Sequence, residues 1–248
     1  MPFTPSHAAA VLPFLRTPLP ASALVAGSVA PDLPYYVPLE FPWRTHTALA
    51  LVTTDLVLGA IAWTLWHALL SAPALAAAPA ALRGRLPGLP LGLRTRAAPV
   101  RLAWTALALV VGGGTHVLWD EFTHPRRWGT THAPALGETW GLLPGYRWLQ
   151  YASGLIGGVV LLVWFVRWWR RTPARPAGPT PGAWRAWGLI LVAGLAAGAV
   201  GAASAPSLGS AGFQGATSGG GAAAAVALLL AISWHLRQQD TPRDTPVA

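Results

Sequence analysis

The stretch Gly112-Gly113-Gly114-Thr115-His116-Val117-Leu118-Trp119-Asp120-Glu121-Phe122-Thr123-His124 holds the densest cluster of titratable and metal-capable side chains in the chain. It closes an apolar run that begins near Val100. On a helix, His116, Asp120 and His124 recur every four residues. Each step of four advances about 400°, so the three side chains form one slowly drifting stripe. A His and an Asp at that spacing can hold one cation from a single helical face. Two further His and one Asp upstream, His7, His46 and Asp32, are the natural additional ligands if the fold brings them there.

The elements that would position them are membrane helices. The chain has 248 residues, 53% hydrophobic and 10% charged, with a mean hydropathy of +0.45. Soluble domains carry about 25% charged residues. Apolar runs near 20 residues, divided by polar or Pro-rich breaks, predict an all-α polytopic membrane bundle. Five spans are expected: Thr47 to Leu70, Val100 to Trp119, Trp148 to Trp168, Trp184 to about Ala205, and Ala222 to Leu236. Upstream, Ser6 caps a short helix ended by Pro13, and Ala21 to Ala30 forms another. Pro31-Asp32-Leu33-Pro34 then imposes a rigid bend. These short helices are expected to lie at the membrane edge or to be re-entrant. The Gly/Ser-rich stretch from Ser207 to Gly221 reads as a mobile linker. Residues 1–170 form the expected core domain, 171–236 add two spans, and 237–248 form a disordered tail.

All of the positive charge is arginine, for a net charge of +9. With the 73–99 linker, the 170–183 loop and the C-terminus on one side, that side receives twelve Arg and two Asp. The other side receives five Arg and five acids, a net charge of zero. The positive-inside rule therefore makes the Arg-rich loops and the C-terminus cytoplasmic. The same topology sends His7, Asp32, His46, His116, Asp120, His124, His132 and Glu138 to the outer side. The Arg residues form no basic face with an aromatic platform, which argues against nucleic acid as a partner. The partner is the lipid bilayer. There are no cysteines, so disulfides and thiolate metal sites are excluded.

Asp55 falls inside the first expected span. It lies nine residues from His46, about 900° or half a turn out of phase, so the two are expected not to share a face. An interhelical hydrogen bond is the favoured reading of Asp55. His67, His132 and His235 read as interfacial or solvated. Gly112-Gly113-Gly114 lacks the Lys-Ser/Thr of a phosphate loop and reads as a close-packing point beside the site. Gly194, Gly198 and Gly201 read as a small-residue packing face.

Several segments resemble a known family. They are Met1-Pro2-Phe3-Thr4-Pro5-Ser6-His7, Gly27-Ser28-Val29-Ala30-Pro31-Asp32-Leu33-Pro34-Tyr35, Thr45-His46-Thr47, Thr115 to Pro125, and Arg147-Trp148-Leu149-Gln150-Tyr151. Together they look like the bacterial membrane family called domain of unknown function 4184, over roughly residues 1 to 170 and more loosely over the last two spans. The resemblance implies a bacterial cytoplasmic-membrane protein and brings no activity with it. A more distant similarity is to YdjM-type membrane-bound metal-dependent hydrolases and, through them, to zinc-dependent phospholipase C. It implies His7, Asp32, His46, His116 and Asp120 as metal ligands. The chain departs from that pattern at Leu33-Pro34, where those proteins tend to place a second acid.

Hydrolysis is the chemistry such a cluster supports. A divalent ion, zinc first, would activate water at neutral pH. Glu121, His124 or Glu138 would act as general base, and Arg126 and Arg127 would hold a phosphate. A lipid phosphodiester or lipid-linked ester is the expected substrate. The alternative is a non-enzymatic membrane protein, a small transporter or assembly partner with a structural polar or metal cluster. A transporter should show inverted repeats and broken central helices. The chain shows no such repeat, and its polar residues gather at one interface, which favours the hydrolase.

Overall fold

A computed structural model describes residues 4–89, 91–93, 96, 98–178, 180 and 182–239. The described residues are helical apart from loops and one two-residue hairpin. A 3-10 helix, Thr4–Arg16, opens the chain. It is followed by α1 (Ala21–Val29) and a second 3-10 helix, Ala30–Tyr36. The spanning helix α2 (Thr54–Ala76) contains a π-helical turn at Trp66–Leu70. After the short α3 (Ala80–Arg83) come α4 (Pro99–Thr123), the short α5 (Trp128–His132) and α6 (Gly145–Arg171). The strands β1 (Thr139–Trp140) and β2 (Leu143–Pro144) pair antiparallel just before α6. Last come α7 (Ala183–Ala203) and α8 (Leu208–Gln239). Five of these helices are long and apolar enough to cross a membrane, as the composition predicts. In a bilayer, helices satisfy their backbone groups internally, which is why apolar runs of this length adopt them.

The chain divides into two compact units. The first comprises the N-terminal helices through Tyr35, the start of α2, and α4 to α6. Its centre is the crossing of α1 and α4. A Cβ on Gly27 would overlap the carbonyl of Leu109, and one on Gly112 would overlap the carbonyl of Leu24. The two backbones therefore meet with no side chain between them. Leu24, Ala108 and Leu109 are buried around the crossing. Gly157 of α6 meets Ser6 in the same way, which seats the N-terminal 3-10 helix.

The second unit holds the rest of α2, α3, α7 and α8. The expected small-residue face is present here. Gly194, Gly198 and Gly201 pack on Gly215, Ser218 and Gly219 of α8. Trp187 Nε1 donates to the Ala77 carbonyl at 2.8 Å, and the Arg83 guanidinium donates to Gly178 O and Thr180 Oγ1. His235 Nε2 meets the Leu69 carbonyl at 3.0 Å, beside the π-turn that removes regular i→i+4 pairing.

Three expectations are corrected. Ser207 to Gly221 is not a linker, because α8 begins at Leu208 and runs unbroken to Gln239. Its glycines are the contact surface for α7, so small residues here promote helix packing in place of chain mobility. The first span starts at Thr54, not Thr47. A 3-10 turn at Ala50–Val52 precedes it, which puts Asp55 in the first turn of the helix and not deep within it. His67 is buried, not solvated. The expected disordered tail lies outside the described residues beyond Gln239, whereas Arg237 to Gln239 continue α8.

Candidate metal centre

His116 is on the last third of α4, one turn past Gly112. The close approach at Gly112 places it against the C-terminal end of α1. The carbonyl of Ser28 there has Pro31 three residues on, which offers no N–H for a 3-10 bond. His116 Nδ1 donates to this carbonyl at 2.7 Å. That bond puts a proton on Nδ1 and turns Nε2 inward. Nε2 faces Asp32 Oδ1 at 3.6 Å and Asp120 Oδ2 at 3.5 Å, and it has no hydrogen-bond partner.

The other expected ligands meet at the same point. His46 Nε2 lies 3.2 Å from Asp32 Oδ1 and 3.5 Å from Asp120 Oδ2. His7 Nε2 lies 3.8 Å from Asp120 Oδ1 and is also partnerless, while its ring stacks on His116 with centroids 3.8 Å apart. All five residues are buried, none more than 4% exposed. Two triads, His7–His116–Asp120 and Asp32–His46–His116, each offer ligand atoms within 4.8 Å of one another and could hold a metal ion.

The neighbours orient these groups. Thr4 donates its hydroxyl to Asp32 Oδ2 at 2.6 Å, leaving Oδ1 for the centre. Thr45 Oγ1 meets His46 Nδ1 at 2.8 Å. Burial pushes the Asp32 carboxyl up. The hydrogen bond from His46, the field of His116 and the Thr4 hydroxyl outweigh that and hold it below the usual range, so it is ionised. Burial, and then the neighbouring His116, lower His7 to about 4. It is neutral at pH 7, the state that ligates metal. The Tyr35 hydroxyl at the edge of the cluster is raised by burial and by the fields of Asp32 and Asp120.

The shift at His7 carries a signed prediction for chelator-treated protein. The folded value near 4 lies below the unfolded 6.5. Its contribution is therefore fully present above pH 6.5 and is lost as pH falls towards 4. The loss is on the order of 3 kcal/mol. Thermal unfolding of His7→Gln across that window should depend less steeply on pH than the parent by about this amount.

His46 sits outside any helix with φ of 61°, a left-handed conformation that a non-glycine residue adopts at a cost of about 1–3 kcal/mol. Its backbone is clamped on both sides. The N–H donates to Asp55 Oδ2 at 3.3 Å, and the carbonyl accepts from Arg127 Nη1 at 2.9 Å. The expectation that Asp55 and His46 do not share a face is thereby overtaken: the helical phase does not apply, because the chain turns between them. Arg127→Ala should lower the thermal midpoint modestly and weaken any metal bound through His46.

The remaining expected residues are spread more widely. His124 Nδ1 lies 3.4 Å from Asp120 Oδ1, at the more exposed rim of the cluster. Glu121 turns away and caps α5, accepting the Trp128 N–H at 2.6 Å, with Arg127 3.9 Å off. Glu138 is exposed near the hairpin, and Arg126 is exposed with φ of 60°. His132 stacks on Trp128. Reasoning from sequence did not pick out Thr4, the Ser28 carbonyl, Thr45 or Gln150. Gln150 Nε2 meets His124 Nε2 and Thr123 O, both at 3.4 Å. Thr45 was the most accessible of these, since it precedes His46 directly.

The profile of the family described as domain of unknown function (DUF4184) matches residues 1–233. The chain belongs to that family. The match reaches well beyond the N-terminal 170 residues that carry the quoted motifs, into α8. No curated protein and no solved structure matches the chain. The five buried residues of this DUF4184 member thus stand on their own geometry.

Proposed function

We propose that the protein is an integral membrane, metal-dependent hydrolase whose ion is held by His7, Asp32, His46, His116 and Asp120. One observation carries this reading: the spacing of the facing atoms. Most of the imidazole–carboxylate separations are 3.4–3.8 Å, too long for good hydrogen bonds. Two donors at about 2.0–2.1 Å from one tetrahedral ion lie about 3.3 Å apart. A neutral His116 with its proton on Nδ1 would turn its Nε2 lone pair to both carboxylates, and a cation between them would remove the repulsion. A donor set of imidazole and carboxylate without thiolate suits zinc.

A bound divalent ion would lower the pKa of water towards about 7 and so supply hydroxide for attack on an ester or phosphodiester. The protein's residues supply the rest. The Thr4, Ser28 and Thr45 contacts orient the ligands. His124 at the rim is placed to take a proton, and exposed Arg126 to meet an anionic substrate. The centre lies where α2 and α6 begin and α4 ends. Exposed Trp43, Trp119, Trp128, Trp140 and Trp148 belong to the same part of the chain, as expected of headgroup depth. That supports a lipid phosphodiester or lipid-linked ester as substrate. The arginine distribution supports the outer face of the bacterial cytoplasmic membrane.

The test is metal analysis of the purified protein beside turnover of a fluorescent phosphodiester lipid in mixed micelles. Bound zinc, manganese or iron with metal-dependent turnover is expected. Absence of metal from both wild type and reconstituted protein would sink the proposal. Thr4→Val should weaken metal binding about 10- to 100-fold, the usual effect of removing a contact behind a ligand. The depth of burial favours a second reading, since structural metal sites are closed. In that case removing metal should unfold the protein, and no turnover should be found with it bound.

A further inference from the structure

We infer that the β1–β2 hairpin is an interfacial wedge. Its tip, Gly141-Leu142, inserts into the bilayer leaflet at the boundary between headgroups and acyl chains. Insertion draws lipid to the rim of the metal centre, a delivery role that rests on the hydrolase reading. Eight consecutive residues, Thr139 to Tyr146, carry no charge between Glu138 and Arg147. Trp140 pairs with Leu143 across a two-residue turn, with Gly141 at φ of 71°. Turns that face water favour Asn, Asp, Ser or Gly, which suit the turn backbone and stay hydrated. Here the second turn position is Leu142, whose side chain is left 91% exposed by the protein.

The hairpin is fastened to the start of a membrane-spanning helix. The Gly145 N–H donates to Glu138 O at 2.9 Å, which closes the base of the hairpin. Trp148 Nε1, in the first turn of α6, donates to Trp140 O at 2.7 Å. A Cβ on Gly145 would meet the Trp140 ring at 2.9 Å, so that ring lies against the helix start. The end of β1 therefore sits beside the level at which α6 enters the bilayer. Trp140 and Trp148 are both partly exposed there, the placement that headgroup depth favours for indoles. This continuity with α6 makes lipid, and not a soluble protein, the occupant of the tip.

Length sets the depth. Each strand has two residues, and at about 3.4 Å per residue the hairpin reaches about 7 Å. Elements that lie in the interface bury their apolar side by about 5–10 Å. The hydrocarbon beyond is closed to a two-stranded ribbon, because its outward backbone groups have no partners there. The link to the site runs along α6. Gln150 Nε2 meets His124 Nε2 at the rim at 3.4 Å. From Gly145 to Gln150 the helix rises about 7.5 Å. A headgroup held at the hairpin is thus within about one and a half helical turns of the rim.

The chain has no cysteine, so Leu142→Cys and Glu138→Cys each carry a single label. The full-length protein, labelled with an environment-sensitive fluorophore, is reconstituted into phosphatidylcholine–phosphatidylglycerol vesicles. Doxyl lipids, or iodide on both sides of the vesicle, serve as quenchers. The label on Leu142→Cys should emit to the blue, be quenched by lipids doxyl-labelled near the headgroup, and be shielded from iodide. The label on Glu138→Cys should be quenched by iodide. Iodide quenching at both positions would overturn the insertion. So would protection of the tip from both iodide and doxyl lipids, the result a covering protein would give. Leu142→Asp should lower turnover of a phosphodiester lipid in these vesicles about 10-fold or more, the partition that one buried leucine side chain supplies. Metal content and turnover of water-soluble bis(p-nitrophenyl) phosphate should stay at the wild-type level. Equal loss on both substrates would overturn the delivery role. Doxyl quenching at the tip with no turnover of either substrate by the wild type would overturn the hydrolase reading and leave the insertion standing.

Discussion

His116→Ala is expected to cost more than about 100-fold in metal affinity, beyond the range seen when only a contact behind a ligand is lost. Of the five residues in the centre, His116 is shared by both triads and is fully buried. Its removal deletes a donor to either arrangement and leaves His46 as the imidazole that still faces both Asp32 and Asp120. It also strands the Ser28 carbonyl, whose partner was Nδ1. An unpartnered buried acceptor costs about 1–3 kcal/mol. The α1–α4 crossing is made by glycine backbones and not by His116, so the variant should still reach the membrane and purify as a folded helical protein. Metal content by mass spectrometry and helicity by circular dichroism separate the two effects. Full metal retention in this variant would remove His116 from the centre.

The second large effect should come from a residue with no functional group. Gly112→Leu puts a side chain where the Leu24 carbonyl already lies, and Gly27→Leu does the same at the Leu109 carbonyl. Both neighbours are backbone, so no rotamer change relieves the overlap. Overpacking a well-packed core costs about 1–3 kcal/mol when side chains can move. Here the helices must separate, and a loss at or above the top of that range is expected. Separation also draws Ser28 away from His116, so metal binding should fall together with thermal stability. Gly114→Ala is the contrast. A Cβ there meets nothing within 4 Å. It should be neutral or stabilising by up to about 1 kcal/mol, since alanine is the better helix former. Equal damage from Gly112→Leu and Gly114→Ala would contradict the backbone-contact account.

The membrane helices and the local part of the site are legible in the order of residues alone. A hydrocarbon core demands long apolar runs, and composition alone reveals them. His116 and Asp120 were legible as a pair because four residues on a helix return to one face. The rest depends on contacts between distant parts of the chain. His7, Asp32 and His46 come from a 3-10 helix, a Pro-rich turn and a left-handed backbone position, none of which has a period that reports direction. The link between His46 and Asp55 arises because the chain turns between them, so a phase count over nine residues had no meaning. The Gly-rich start of α8 departs from its expected role for a related reason. In isolation glycine signals freedom of the backbone. Against the glycines of α7 it signals the space a neighbouring helix occupies, and only the packed structure identifies that neighbour. Gly112 carries the same lesson at the site itself. It sits in the stretch that first pointed to chemistry, and its missing side chain lets α1 come close enough to fix the proton of His116.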